Sequence, residues 1–201
     1  MASGQAEGLD RSLQAEAMVG AGRGALVCAM FGAGWLGWGL GAAGEFTGLV
    51  GPVFGSLEIV LVVCAIYAIR KGRALRKQYP PTADSGRKST RKAFWLVVAL
   101  ELLALALVGI LAWRLHRPDL GTDWAAMVVG LHFLPLAKLF QSPRLGIIGA
   151  LITAWCVVCW AWLRFDALTI AVAIGTGALL WLAALSALWR ARKIADALRS
   201  S

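Results

Sequence analysis

Read from Met1, the chain alternates long apolar runs with short polar ones. Six runs of about twenty residues, at 24–44, 52–70, 93–114, 123–141, 145–164 and 167–189, predict six helices, each matched to a hydrocarbon core of ~30 Å. Residues 1–22 then form a polar, small-residue tail, 71–92 a loop and 195–201 a second tail. The expected fold is all-α, a single six-helix transmembrane bundle over 23–194. In the first tail, Asp10 or Ser12 can cap a short helical run through Leu13, Met18 and Val19. This tail does not read as a signal peptide, because no basic start precedes a short apolar stretch and no small-residue cleavage site follows.

Composition supports the same class. The chain is 59% hydrophobic and 15% charged, with a mean hydropathy of +0.71. Soluble domains are nearer about 45–50% and 25%, so a secreted disulfide scaffold, a disordered regulator and a nucleic-acid-binding domain are excluded as primary readings. The net charge of +9 is decided by position, because basic residues retained on the cytoplasmic side orient a membrane protein. With the N-terminus inside, all but Arg114, Arg117 and Arg164 of the 20 Lys and Arg fall on the inner side. Both termini are therefore expected in the cytoplasm.

The longest connection carries Arg70, Lys71, Arg73, Arg76, Lys77, Arg87, Lys88, Arg91 and Lys92. Its first half, IRKGRALRKQYPP, should extend the second helix beyond the bilayer until Pro80 and Pro81 stop it. Basic residues beside an anionic leaflet contribute about 1 kcal/mol each, which makes anionic headgroups the expected partner. The plainer reading is that the loop only sets topology. Nucleic acid is not an expected partner.

Ten tryptophans divide into two groups: Trp95, Trp113, Trp124, Trp162 and Trp189 near helix ends, where the ring suits the interface, and Trp35, Trp38, Trp155, Trp160 and Trp181 deeper. The first helix is dense in glycine. Gly34, Gly37, Gly41 and Gly44 are the expected packing positions, since small residues let backbones approach in lipid. Cys28, Cys64, Cys156 and Cys159 all fall in apolar stretches, which argues against structural disulfides. Cys156 and Cys159 share a helix face, a spacing open to a soft metal or a redox pair, although small apolar packing explains it without either. No metal site and no cofactor is expected, and His132 is the only histidine within a span, so a bis-His haem would need other subunits.

Three ionisable residues lie well inside the spans, and intramembrane charge is costly enough to mark a functional candidate. Glu58 should lie roughly 10 Å below its outer helix end, and Glu101 and His132 roughly 13 Å from their helix starts, so all three can meet in one bundle. A carboxylate and an imidazole that meet can exchange a proton near neutral pH. The fourth helix adds Pro135, which cannot donate to the carbonyl of Leu131. That freed carbonyl beside His132 makes a candidate proton, cation or hydroxyl site. The alternative is that His132 bonds a neighbouring helix, for instance through Glu101, and acts as interhelical glue.

The run VGLHFLPLAKLF, followed by a proline and a Gly-containing helix and preceded by a helix with a central Glu, resembles a group of small bacterial integral membrane proteins that carry no assigned function. The resemblance covers roughly residues 93–160. It implies a multi-pass protein of the bacterial inner membrane and draws interest to Glu101 and His132, without supplying an activity, substrate or cofactor.

Two functions follow. One is a small transporter or channel whose polar site, Glu58, Glu101, His132, Pro135 and the Leu131 carbonyl, handles protons or a cation. The other is a scaffold or assembly protein that binds a partner or itself through the Gly-rich first helix. A lipid-acting enzyme ranks lowest, because no phosphate loop, dinucleotide fingerprint, nucleophile elbow or zinc signature is present. A three-plus-three inverted repeat is permitted by the topology. Six helices are few for an internal pathway, so a homo-oligomer is expected.

Overall fold

The computed structural model describes residues 2–78, 87–140 and 142–200, with the side chains of 2–10, 87–91, 118–120 and 199–200 outside the described set. It is all-helical: α1 (Ala2–Ala42), α2 (Val50–Gln78), α3 (Arg87–Arg114), α4 (Pro118–Leu139), α5 (Pro143–Trp162) and α6 (Phe165–Ser200), with no strand among the described residues. Five of them are long and apolar enough to cross a membrane. Helix α4 is the exception. Its 22 residues suffice in length, but Asp123, His132, Pro135 and Lys138 dilute its apolar character.

Chain punctuation explains the boundaries. Pro118 and Pro143 occupy first-turn positions of α4 and α5, where a missing N–H costs nothing. Helix α2 runs through its basic last turn, Arg76 and Lys77, and ends at Gln78; Pro80 and Pro81 lie outside the described residues. Helix α1 ends in a Schellman arrangement, with Glu45 N–H donating to Leu40 O at 2.9 Å and Gly44 N–H to Gly41 O at 3.0 Å. Gly44 sits there at φ +71. Its role is thus to close the helix, rather than the packing role expected from the sequence.

The termini also differ from the expectation of short tails. Helix α1 continues through residues 2–22, and α6 continues to Ser200. The reason is burial: Ser12, Ala15, Met18 and Val19 are all covered. At about 1.5 Å per residue, α1 is roughly 60 Å long and α6 roughly 54 Å, well beyond a hydrocarbon core.

The helices pack as two compact units, one comprising residues 1–31, 49–85 and 180–201 and the other residues 32–48 and 86–179. In the first, Met18, Ala68, Ala191 and Ala195 form a core from α1, α2 and α6. Close approach comes from Gly22, where a Cβ would lie 2.8 Å from Ile69, and from Gly72, 2.8 Å from Val19. Arg76 pairs with Glu16 at 3.5 Å.

In the second unit, α4 and α5 cross tightly. A Cβ on Gly130 would lie 2.6 Å from Thr153 Oγ1, and one on Gly149 2.6 Å from the Gly130 carbonyl. Trp155 Nε1 of α5 donates to the Ala171 carbonyl of α6 at 3.0 Å. The end of α1 meets α6 through Gly39 against Ile174 and through Leu36 against Gly177. A Cβ at Gly34 or Gly41 would meet nothing within 4 Å, and Gly37 is half-buried. The expected packing stripe is therefore displaced by one face of the helix, onto Gly39 and the buried Gly32.

Candidate functional site

Glu101 and His132 meet. Glu101 projects from the middle of α3 and His132 from α4, and His132 Nδ1 lies 3.3 Å from Glu101 Oε1, with the two side chains 15% and 14% exposed, His132 first. His132 is two residues, roughly half a turn, from Gly130, where α5 crosses the other side of the same stretch of α4. Phe94 of α3 and Phe140, the residue after α4, lie 6.0 Å apart where α3 begins and α4 ends.

The two protonation arrangements of such a pair, carboxylate with imidazolium and carboxylic acid with imidazole, carry the same net charge and differ only in where one proton resides. That is the chemistry the contact makes available. The contact is an approach of two ionisable groups and not a formed hydrogen bond, since His132 Nδ1 is buried with no hydrogen-bond partner among the described residues. The Leu131 carbonyl to which the sequence pointed makes no hydrogen bond to it, and Leu131 is exposed. Pro135 lies within α4, which continues to Leu139.

Glu58 belongs to the other unit. Its Oε2 is buried with no hydrogen-bond partner among the described residues, beside Trp181, whose Nε1 donates to the Ala29 carbonyl at 3.3 Å and whose ring stacks on Phe54, centroids 5.4 Å apart.

Of the basic residues expected at lipid headgroups, Arg70, Arg73, Lys77 and Lys92 are exposed and Lys71 is half-buried. Arg76 is committed to Glu16. The side chains of Arg87, Lys88 and Arg91 lie outside the described residues.

One residue escaped the sequence reading. Asp123 is 1% exposed, and neither carboxylate oxygen has a partner among the described residues. Cys156 and Cys159 are buried free thiols, and the Thr176 hydroxyl is likewise buried without a hydrogen-bond partner among the described residues. No group of three or more His, Cys, Asp and Glu placed to hold a metal ion occurs among the described residues. A cleft of about 360 Å³ opens near the start of α6, where Arg117 and Arg164 flank Trp160 and Phe165; Arg164 is turned back onto the Trp160 and Leu163 carbonyls at 2.7 and 2.9 Å.

Compared with known proteins, the chain matches no family model, no curated protein and no solved structure.

Proposed function

We propose that the chain is a multi-pass protein of the bacterial inner membrane, with six spans and both termini in the cytoplasm, that works as a small proton- or cation-linked transporter or channel. The observation that carries this reading is the 3.3 Å contact of His132 with Glu101. Two ionisable groups inside apolar helices are a net cost in lipid, and a function that uses their proton is a reason to retain them. Helix α4 is then the sixth span, its polar side chains shielded by α3 and α5. Anionic headgroups are the partners of Arg70, Arg73, Lys77 and Lys92, and the exposed apolar rows of α3, such as Leu96, Leu100, Leu103 and Leu107, face acyl chains or a second copy.

The test is proton flux into proteoliposomes driven by a potassium diffusion potential. Flux in the wild type that Glu101→Gln abolishes, with the variant still folded, supports the reading. Flux unchanged in Glu101→Gln removes the pair from the pathway.

A second reading draws on the same contact. The two side chains face each other across α3 and α4, and neither of the two clefts resolved beside the helices is lined by them. That is how an interhelical lock in a non-transporting scaffold is built. No flux above empty liposomes, together with loss of stability in Glu101→Gln and in His132→Ala, selects the scaffold.

A further inference from the structure

The cleft of about 360 Å³ lies where α3 gives way to α4 and α5 to α6, and each of the two short connections brings it an arginine, Arg117 and Arg164. Beside each arginine stands a residue in the left-handed region, His116 at φ 51 and Phe165 at φ 53. That conformation is unfavourable for a side chain with a Cβ, and it lets the chain reverse within three residues after α3 and two after α5.

Arg164 is anchored. Its Nη1 donates to the Trp160 and Leu163 carbonyls at 2.7 and 2.9 Å, groups that the end of α5 leaves unpaired. A guanidinium carries five N–H donors in a planar fork. With Nη1 fixed, the Nε and Nη2 edge keeps the remaining donors without a partner among the described residues, and such an edge matches two oxygens of one phosphate. Arg117 places a second positive charge at the cleft. Asp166, exposed in the first turn of α6, pairs with neither arginine, so the rim is net positive. The rest of the lining is apolar, with Val157 and Leu168 roughly 4–8 Å further along α5 and α6 from the connection. Trp113, Trp160 and Trp162 are 73%, 54% and 82% exposed around this level, which suits rings at the membrane–water interface.

We propose that this cleft binds one anionic glycerophospholipid, its phosphodiester on the Nε and Nη2 edge of Arg164, with Arg117 adding charge and an acyl chain lying along Val157 and Leu168. The apolar wall selects a lipid over a free anion, and the net positive rim selects an anionic headgroup over a zwitterionic one. The site is distinct from the basic residues of α2. It rests on the membrane reading of the helices, and on neither their orientation nor transport.

The experiment is native mass spectrometry of the purified full-length protein titrated with phosphatidylglycerol or phosphatidylcholine, in a background where Arg70, Arg73 and Lys77 are glutamine. The expected result is one phosphatidylglycerol held per chain about fivefold more tightly than phosphatidylcholine, and a further loss of about fivefold in Arg164→Gln. Arg117→Gln should act in the same direction and serves where Arg164→Gln does not fold. Ala161→Phe fills the cleft with both arginines intact and should also weaken retention. Equal retention of the two lipids overturns the proposal, as does phosphatidylglycerol binding that survives Ala161→Phe, which would be attraction to surface charge alone. Displacement of the lipid by millimolar inorganic phosphate would identify a free-anion site and overturns the lipid assignment. Recovery of the protein in the membrane fraction, released only by detergent, tests the membrane reading by itself.

Discussion

Replacing Glu101 and His132 by leucine, singly and together, separates a paired contact from two independent polar residues. In each single variant the remaining group keeps its desolvation cost and loses its partner 3.3 Å away, which destabilises by about 1–3 kcal/mol. In the double variant both costs vanish, and two leucines suit the setting. Interhelical polar couplings in membranes average about 0.6 kcal/mol and reach about 1.7. With both groups mostly covered, a coupling of about 1 kcal/mol is expected, or roughly fivefold in the unfolding equilibrium constant. The assay is reversible unfolding of all four proteins in mixed micelles, read as a double-mutant cycle. Additivity to within about 0.3 kcal/mol would falsify the claim that the two side chains act as a unit.

Other consequences can be checked on the same material. Gly130→Val should lower stability by about 1–3 kcal/mol through overpacking, because its Cβ would meet Thr153 at 2.6 Å; an unchanged melting temperature would show that α4 and α5 cross less closely. Gly34→Ala, with nothing within 4 Å, should be neutral or stabilising by up to about 1 kcal/mol from helix propensity, and a loss would reveal a neighbour on that face. Trp155→Phe removes the donor to Ala171 and should cost about 0.5–1.5 kcal/mol in chemical unfolding. Replacing Arg70, Arg73 and Lys77 by glutamine should reduce retention of anionic lipid in native mass spectrometry by about 1 kcal/mol per residue. Arg76→Gln, already paired with Glu16, should change stability more than lipid retention.

The helices were readable because an apolar run of about twenty residues has few alternatives to a helix in a membrane. The Glu101–His132 meeting was readable because two isolated polar side chains at compatible depth have few other partners. Three features were less visible, each for a physical reason. Residues 2–22 look like a tail, since burial there falls on Ser12, Ala15 and Gly22 with only Met18 and Val19 beside them, too few large apolar residues to raise hydropathy yet spaced to give α1 a thin contact stripe. Glycine density located the packing helix but not its face, because Gly34 and Gly39 differ in angle around the axis and not in chemistry. Asp123 looked like the polar boundary of a span beginning at 123. With the helix starting at Pro118, the same residue is carried one turn inward and buried.

Helix α4 concentrates the chemistry and is the one helix without an uninterrupted stretch long and apolar enough to cross a membrane by itself, which ties its membrane insertion to its neighbours. Its buried positions, Thr122, Asp123, Ala126, Val129, Gly130, Phe133 and Leu136, recur every three or four residues and line one broad face. Helix α3 is the opposite case, with Leu96, Leu100, Leu103, Leu107 and Ile110 all exposed. An aspartate at the centre of an isolated span costs about 2.5–3.5 kcal/mol on insertion, less toward the ends, and each Leu returns only about 0.3–0.6. Helix α3 should therefore insert alone in a translocon assay, whereas α4 alone should insert in a minority of chains and become efficient when α3 precedes it and α5 follows. Asp123→Leu combined with His132→Leu should let α4 insert alone. If native α4 by itself inserts as well as α3, its polar residues carry no insertion penalty, and the argument that only a specific role retains them fails with it.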